Sequence, residues 1–574
     1  MMVGIKQYCV DEEHNILNVD VQCEASRKIQ AEKFRISLVF EASCGKRYFP
    51  VSAQYQKEEG DRRIYTAHVS VELRYVFWEE FPTAQEDVAL SAAFCTEEAL
   101  WTYTDTLLEL PGTLFYKVCP PVSFLRRVTN TFFYGICTIL LPIWLIDGVL
   151  AQHGLHRLHP AAAGRQGKSA VFYHAHGLVK DWTGYGYSVR EYKTNYYKKC
   201  YDRACRKYPE TRGILFLSER RLEAGGNLDR IRSEVQKAGY PYREFLTECP
   251  IHKLTRSQIR TCAEMTAAAK LIILEDFVPQ LHALSIRRET QILQMWHACG
   301  AFKLFGLSEL GIVDHLKQST RNHRSYTAVL ASSEGVVPFY SEAFGVDEPV
   351  VHPIGVPRTD IFFDQGYAAE IRKKLLDKYP VCRDKKVILF APTFRGSGNK
   401  TAYYPWDKFP VAQIMSRLPD DTILILKNHP FVKKKCEIPQ EYQNRILDLS
   451  VSENINDLLF ITSLLITDYS SVIFEASLLE IPMLFYTFDL QEYLKKRDIY
   501  FDFASFAPGR ITGDLQELEK EIKKMITGED DGSSDISMAK GQFRKLFLGA
   551  LDGDSTKRTM ELINNCLQQE IDRK

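Results

Sequence analysis

Short apolar runs separated by longer stretches with helical spacing are the feature that most limits how this 574-residue chain can fold. Buried strands that alternate with helices form parallel sheets, so each series of runs predicts an open α/β domain. The sequence therefore predicts two facing Rossmann-like domains, over residues 161–335 and 336–574, with a junction near residues 320 to 345. The runs occupy residues 171–173, 213–217, 271–274, 387–391, 422–426, 464–466 and 482–486.

Residues 1–118 follow a different pattern, in which apolar and polar side chains alternate with period two. The alternation is clearest over residues 16–21, 34–38 and 69–73. This pattern predicts half-buried strands of a small antiparallel β domain, which precedes the two α/β domains and has an accessory role.

The linker over residues 119–160 contains an apolar segment, Phe132 to Ile146, which follows two arginines. Its length of about 15 residues is short of the roughly 20 needed to span a bilayer. One interpretation is a buried core helix. The other is an interfacial segment on the cytoplasmic leaflet, with the arginines facing anionic lipid. The sequence leaves both open.

Composition excludes several classes of function. The 73 basic residues equal the 73 acidic residues, so net charge gives no reason to expect nucleic acid as a partner. The 14 cysteines are scattered and predict reduced thiols in a cytosolic protein. No metal-ligand spacing and no Walker-type loop is present, so neither a metal nor another cofactor is expected.

Ligands of open α/β sheets bind beyond the carboxyl ends of the strands, so the residues that follow each apolar run are the candidates for a site. Ser470 and Ser471 follow one run at a predicted helix start, where unpaired N–H groups bind phosphate. The alternative is that Asp468 or a serine only caps that helix. Similar polar clusters occur at residues 296–297, 355–360, 391–396 and 427–430. Together they predict a site for a diphosphate and for the movement of one proton.

These clusters resemble the motifs of the CDP-glycerol glycerophosphotransferases of teichoic-acid synthesis, which have a GT-B architecture. The family pattern W-H-G-T-P, G-x-P-R-x-D, A-P-T-(W/F)-R, K-x-H-P and T-D-Y-S-S is matched in this order, and residues 486–509 and 552–556 match as well. The resemblance covers roughly residues 165 to 565. Two positions depart from it: Ala298-Cys299-Gly300 replaces G-T-P, and Glu475 replaces an aspartate.

The resemblance implies that an acceptor hydroxyl attacks the β-phosphorus of CDP-glycerol and that CMP leaves. It implies that His297 is the general base, since imidazole has a suitable pKa. It also implies that other groups stabilise the departing phosphate. Arg395 has a structural ion pair as its alternative role, and Arg358 a pair with Asp360. The residues assigned to catalysis are His297 and His429, and those assigned to the donor are Trp296, Arg358, Pro392, Thr393, Arg395, Lys427, Ser470, Ser471 and Glu475.

Alternatives remain for the donor and the acceptor. One alternative is the same reaction with CDP-ribitol or another CDP-alditol as the donor. A second alternative is a nucleotide-sugar glycosyltransferase of GT-B fold. The intact motifs disfavour a non-catalytic scaffold. A lipid-linked or polymeric polyol or glycan is the expected acceptor. Such an acceptor predicts a peripheral protein on the cytoplasmic face of the cell membrane.

Overall fold

A computed structural model describes most of the chain outside the linker. The described residues are 2–11, 15–26, 35–77, 82, 85–95, 101–115, 146–147, 149–155, 171, 174, 189–222, 225–312, 316–318, 320–396, 401–496, 499–501, 503–529 and 534–568. The apolar segment Phe132 to Ile146 lies outside them except for Ile146. Val171 is helical rather than extended, so the strand predicted to begin there is wrong at that residue, and Phe172 and Tyr173 lie outside the described residues.

The N-terminal region is a sandwich of two antiparallel sheets, with strand orders β1-β2-β6-β5 and β4-β3-β7-β8, and with β9 paired to β7. Leu17 and Val19 of one sheet and Leu38 and Leu90 of the other are fully buried in a common core, which confirms the period-two prediction. The strands are β1 (Met2–Asp11), β2 (Ile16–Ser26), β3 (Arg35–Ala42), β4 (Gly45–Val51), β5 (Gln54–Glu59), β6 (Arg62–Glu72), β7 (Asp87–Cys95), β8 (Trp101–Tyr103) and β9 (Leu108–Pro111).

The first α/β domain has a parallel sheet of order β11-β10-β12-β13-β14-β15. Strand β15 belongs to this sheet, so the boundary predicted at 335/336 falls inside the domain and not at its end. Its strands are β10 (Ile214–Ser218), β11 (Tyr242–Leu246), β12 (Leu271–Leu274), β13 (Gln291–Gln294), β14 (Ala328–Leu330) and β15 (Val351–His352). Its helices are α1 (Val189–Lys207), α2 (Gly226–Lys237), α3 (Arg256–Ala268) and α4 (Val337–Phe344).

The second α/β domain has a parallel sheet of order β18-β17-β16-β19-β20-β21. The order reverses between β16 and β19, which is where open sheets bind ligands. Its strands are β16 (Lys386–Phe390), β17 (Thr422–Leu426), β18 (Ile446–Asp448), β19 (Leu464–Thr467), β20 (Met483–Tyr486) and β21 (Arg510–Thr512). Its helices are α5 (Gln365–Lys378), α6 (Val411–Ser416), α7 (Ile455–Leu459), α8 (Val472–Leu478), α9 (Leu490–Lys496), α10 (Phe503–Phe506) and α11 (Leu515–Thr527).

Two C-terminal helices, α12 (Ser534–Leu548) and α13 (Ser555–Gln568), connect the two α/β domains. Phe543 of α12 stacks on Phe474 of the second domain at 5.3 Å, and Ile563 of α13 is buried against the first sheet. These two helices therefore pack across both α/β domains, whereas helix α11 packs on the second sheet.

The described residues contain no helix that is both long enough and apolar enough to cross a bilayer.

Candidate active site

The strand order brings the predicted polar clusters of the second domain to one edge. Strands β17, β16 and β19 are neighbours and parallel, so their carboxyl ends lie side by side. The segments that follow them are 427–430, 391–396 and 468–471. In the first domain β12 and β13 are likewise neighbours, and they place Asp276 beside His297.

Trp296 has a left-handed backbone, with φ of +55°, which is rare for a bulky residue. Two buried amides hold it: Trp296 N–H donates to Gln294 Oε1 at 2.9 Å, and Trp296 O accepts from Asn227 Nδ2 at 2.8 Å. The indole is 8% exposed and stacks on Phe305 at 5.0 Å. This packing indicates a structural role for the indole in place of the predicted donor contact.

The His297 imidazole is 42% exposed, and its Nδ1 lies 3.5 Å from Asp276 Oδ1. Burial lowers the pKa of His297. Asp276 and the Glu275 carbonyl act in the opposite direction, while Arg220 and Arg358 lower the pKa further. Because the net shift is downward, the ring is neutral near neutral pH and can accept a proton, as a general base must.

Arg358 connects the two α/β domains. Its Nη2 donates to His297 O at 3.3 Å and to Cys299 Sγ at 3.6 Å, and it forms an ion pair with the Glu475 carboxylate. The two side chains are 15% and 6% exposed, so the pair is largely desolvated. Glu475 also makes a hydrogen bond with the Cys299 thiol. The two positions that depart from the family pattern are therefore in direct contact.

The alternative in which Arg358 pairs with Asp360 is wrong. Asp360 accepts from the N–H groups of Ser555 and Thr556, at 3.1 and 2.8 Å, and so caps helix α13. A Cβ at Gly355, whose φ is +96°, would lie 2.2 Å from Ser555 Oγ. The motifs at 355–360 and 552–556 thus pack against each other, and Arg358 belongs to the first of them.

Arg395 is 8% exposed, and its guanidinium is occupied by carboxylates. Its Nε and Nη2 donate to Asp489 at 2.6 and 2.8 Å, and its Nη1 donates to Asp468 Oδ2 at 2.8 Å. Asp468 Oδ1 also accepts from Thr393 N–H at 2.7 Å. This geometry favours the structural ion pair for Arg395 over the predicted donor contact. It also shows that Asp468 joins two loops and does not cap helix α8.

The remaining candidates of this edge differ in exposure. Ser471 is exposed and its side chain makes no capping bond to helix α8, while Ser470 Oγ accepts from Val472 N–H at 3.4 Å. Pro392 and Thr393 are buried, and Thr393 Oγ1 has no hydrogen-bond partner among the described residues. An exposed serine and an unsatisfied hydroxyl at the same edge are suited to bind a polar ligand.

Lys427 and His429 follow strand β17. Lys427 Nζ donates to the carbonyls of Leu449 and Ser450, at 3.2 and 2.7 Å, and burial lowers its pKa. The His429 ring packs against Phe394 at 4.7 Å, and its Nδ1 accepts from Phe431 N–H at 3.2 Å. With Nδ1 used as an acceptor, the neutral ring carries its proton on Nε2, which is a donor for an anionic ligand.

Several residues of this region were not predicted. Glu275 is buried, and burial raises its pKa to about 7 although Arg221 lies 3.1 Å away. Glu275 and Asp276 directly follow strand β12, so the strand-end rule would have found both. Asn227 and Gln294 carry no such signal, because an amide that binds backbone looks like any other buried polar residue. No group of three potential metal ligands occurs in the part of the chain that the structure describes.

The sequence profile of a family described as CDP-Glycerol:Poly(glycerophosphate) glycerophosphotransferase matches residues 200–565. A teichoic acid poly(ribitol-phosphate) polymerase from Bacillus spizizenii is 37% identical over 378 residues, which are 65% of this chain and 60% of that protein. The teichoic acid ribitol-phosphate polymerase TarK from Staphylococcus aureus is 38% identical over 354 residues, or 58% of this chain and 68% of that protein.

Among solved structures, the wall teichoic acid polymerase TagF aligns with a TM-score of 0.54 at 20% identity, over 67% of this chain and 95% of that chain. This likeness and the sheets described above confirm the predicted arrangement of two Rossmann-like domains preceded by an antiparallel region. The chain spans about 60% of the length of the Bacillus relative, so further regions of that protein have no counterpart in the match.

Proposed function

Because this chain belongs to the CDP-glycerol:poly(glycerophosphate) glycerophosphotransferase family, we propose that it transfers an alditol phosphate from a CDP-alditol to an acceptor hydroxyl and releases CMP. One observation carries the proposal. A neutral, partly exposed His297 lies at the carboxyl edge of the first sheet, and Arg358 ties it to Glu475 in the domain that holds the candidate phosphate site.

In the proposed reaction His297 takes the proton of the acceptor hydroxyl while the hydroxyl oxygen attacks the β-phosphorus. A new P–O bond forms, and the bond to the CMP oxygen breaks with its electron pair going to CMP. Charge grows on the departing phosphate, where donors and cations lower the barrier. Lys427, His429, Ser470 and Ser471 are the groups proposed for that role, since they follow neighbouring strands of one sheet.

Two donors are candidates. The family description names CDP-glycerol, which is the donor first predicted from the motifs. The relatives at 37% and 38% identity are named for poly(ribitol-phosphate) and ribitol-phosphate, which supports CDP-ribitol as the second candidate. Glu475 is proposed to influence which donor binds. Its side chain contacts Arg358 and Cys299, and the family pattern has a shorter aspartate in place of Glu475 and a threonine in place of Cys299.

The acceptor is proposed to be a lipid-linked or polymeric polyol or glycan of teichoic-acid synthesis. A soluble catalytic domain reaches a lipid-linked hydroxyl only at the membrane surface. The proposal therefore includes a peripheral position on the cytoplasmic face, with the segment 132–146 as the contact.

The test is CMP release by the purified chain from CDP-glycerol and from CDP-ribitol, with lipid-linked acceptors, followed by mass analysis of the product. We expect turnover with one or both donors. We expect His297→Ala to lower kcat by about 10² to 10⁴, the range of general base catalysis, with little change in donor affinity. His68→Ala is the matched control, since His68 is 67% exposed on the β domain. Hydrolysis of a nucleotide sugar without CMP release from either CDP-alditol would refute the proposal.

A further inference from the structure

Asp276 is a buried carboxylate whose surroundings do not compensate for its burial. The side chain is 4% exposed, and its Oδ2 has no hydrogen-bond donor among the described residues. Its Oδ1 lies 3.5 Å from His297 Nδ1 and 3.7 Å from the Nε of Arg220, which is 61% exposed. Pairs with so exposed a partner contribute little to stability, whereas an unsatisfied buried carboxylate is costly. A group retained at such a cost calls for a functional explanation.

Gln294 fixes both partners of this contact. It is fully buried, and its Nε2 donates to the Asp276 carbonyl at 3.2 Å and to Tyr326 Oη at 3.1 Å. Its Oε1 accepts the Trp296 N–H at 2.9 Å. One rigid amide thus holds the backbone of Asp276 and the residue that precedes His297, on adjacent strands.

We propose that Asp276 is the positioning residue of the base His297, and that Gln294 sets the geometry of the pair. The inference rests on the proposed function. Nδ1–H of the neutral imidazole donates to Asp276, which leaves the Nε2 lone pair for the proton of the acceptor hydroxyl. When His297 takes that proton, the carboxylate stabilises the imidazolium. The present separation of 3.5 Å is long for a hydrogen bond, and such contacts shorten when substrate binds.

Asp276→Asn is the direct test, because it keeps the shape of the side chain and removes its charge. We expect kcat to fall roughly 10²-fold, at the lower end of what general base catalysis contributes, while the donor KM stays within a factor of about two. Asp276 raises the pKa of His297, so its removal lowers that pKa. The acid limb of the kcat/KM profile therefore moves to lower pH. Glu275, Arg220 and Arg358, which also face the ring, are unchanged in this variant.

A second readout does not depend on turnover. The protein is labelled with ¹³C at histidine, the His297 signal is assigned by its loss in His297→Asn, and its titration is compared in wild type and Asp276→Asn. Asp276→Glu, which restores the charge, should return the midpoint toward that of wild type. Glu453→Gln is the control, since this largely buried carboxylate of the second domain pairs with Lys378 and accepts from Tyr379 Oη at 2.6 Å, and its loss should lower Tm without moving the titration.

The two proposals fail separately. If the wild-type chain releases no CMP from either donor, the proposed function is wrong. The titration still tests whether Asp276 interacts with His297. An unchanged His297 midpoint in Asp276→Asn, or an unchanged kcat in a chain that does turn over, would overturn the inference. If Asp276→Asn does not fold, Gln294→Glu serves instead. It keeps an acceptor for Trp296 N–H and removes the donation to Asp276, so kcat should fall at constant donor KM, and an unaltered kcat would refute the role of Gln294.

Discussion

Arg395→Lys distinguishes a structural arginine from one that binds the donor. Lysine keeps the charge but cannot reproduce the fork that engages Asp489 twice and Asp468 once. Two of the three charge-assisted bonds are lost, at about 1.5 to 3 kcal/mol each, while relaxation recovers part of this. We expect the free energy of unfolding of the second α/β domain to fall by about 3 kcal/mol. For a domain of this size, that is a fall in Tm of about 6 to 12 °C.

The assay is thermal unfolding followed by circular dichroism, paired with calorimetric titration of CDP-alditol well below the Tm of the variant. Arg383→Lys is the matched control, because Arg383 and its partner Asp377 are both more than half exposed, and we expect a change of less than about 0.5 kcal/mol. An unchanged Tm in Arg395→Lys together with weaker donor binding would refute the structural assignment and restore the donor contact.

Two further predictions concern the donor and the membrane. Ser471→Ala removes an exposed hydroxyl that makes no capping bond, so we expect weaker donor affinity at unchanged Tm, measured by calorimetry and unfolding; a drop in Tm without a change in affinity would mean that the hydroxyl only supports helix α8. The intact chain should float with anionic liposomes while a chain lacking residues 120–150 should not, and equal flotation of the two would remove the segment from the membrane proposal.

The central strands of both parallel sheets were predictable because they are buried on both faces. Strand β19 is fully buried, so it appears in the sequence as an uninterrupted apolar run. The edge strands β11, β18 and β21 are only partly buried and were missed. The short strands β14 and β15 were missed as well, since two or three residues carry no periodicity. The omission of β15 moved the domain boundary into the first sheet. Periodicity thus identifies strands and helices that are long enough to show a repeating pattern. The sheet topology depends also on strands that are too short to show one.

Ion pairs were not predictable in the same way. Arg395 was assigned to the donor with a structural ion pair as its alternative, and Glu475 was assigned to the donor from its place in the family pattern, because position in the sequence says only that a side chain lies near the edge of the sheet. Whether it faces a ligand or a carboxylate depends on a partner far along the chain. Asp489 is 94 residues from Arg395, and Arg358 is 117 residues from Glu475. The hydrophobic pattern within a window of about 11 to 18 residues therefore cannot show whether a side chain binds a ligand or a distant carboxylate.

The Trp296-His297 pair shows how site geometry arises from residues with no chemical signature. His297 was predicted as a base from its residue type, but its direction depends on the left-handed backbone of Trp296. That backbone costs energy for a bulky residue and persists because Gln294 and Asn227 bind its N–H and its carbonyl. Asn227 Oδ1 also accepts the Arg358 N–H at 2.8 Å. One buried amide, that of Asn227, therefore couples the orientation of the base to the arginine that bridges the domains.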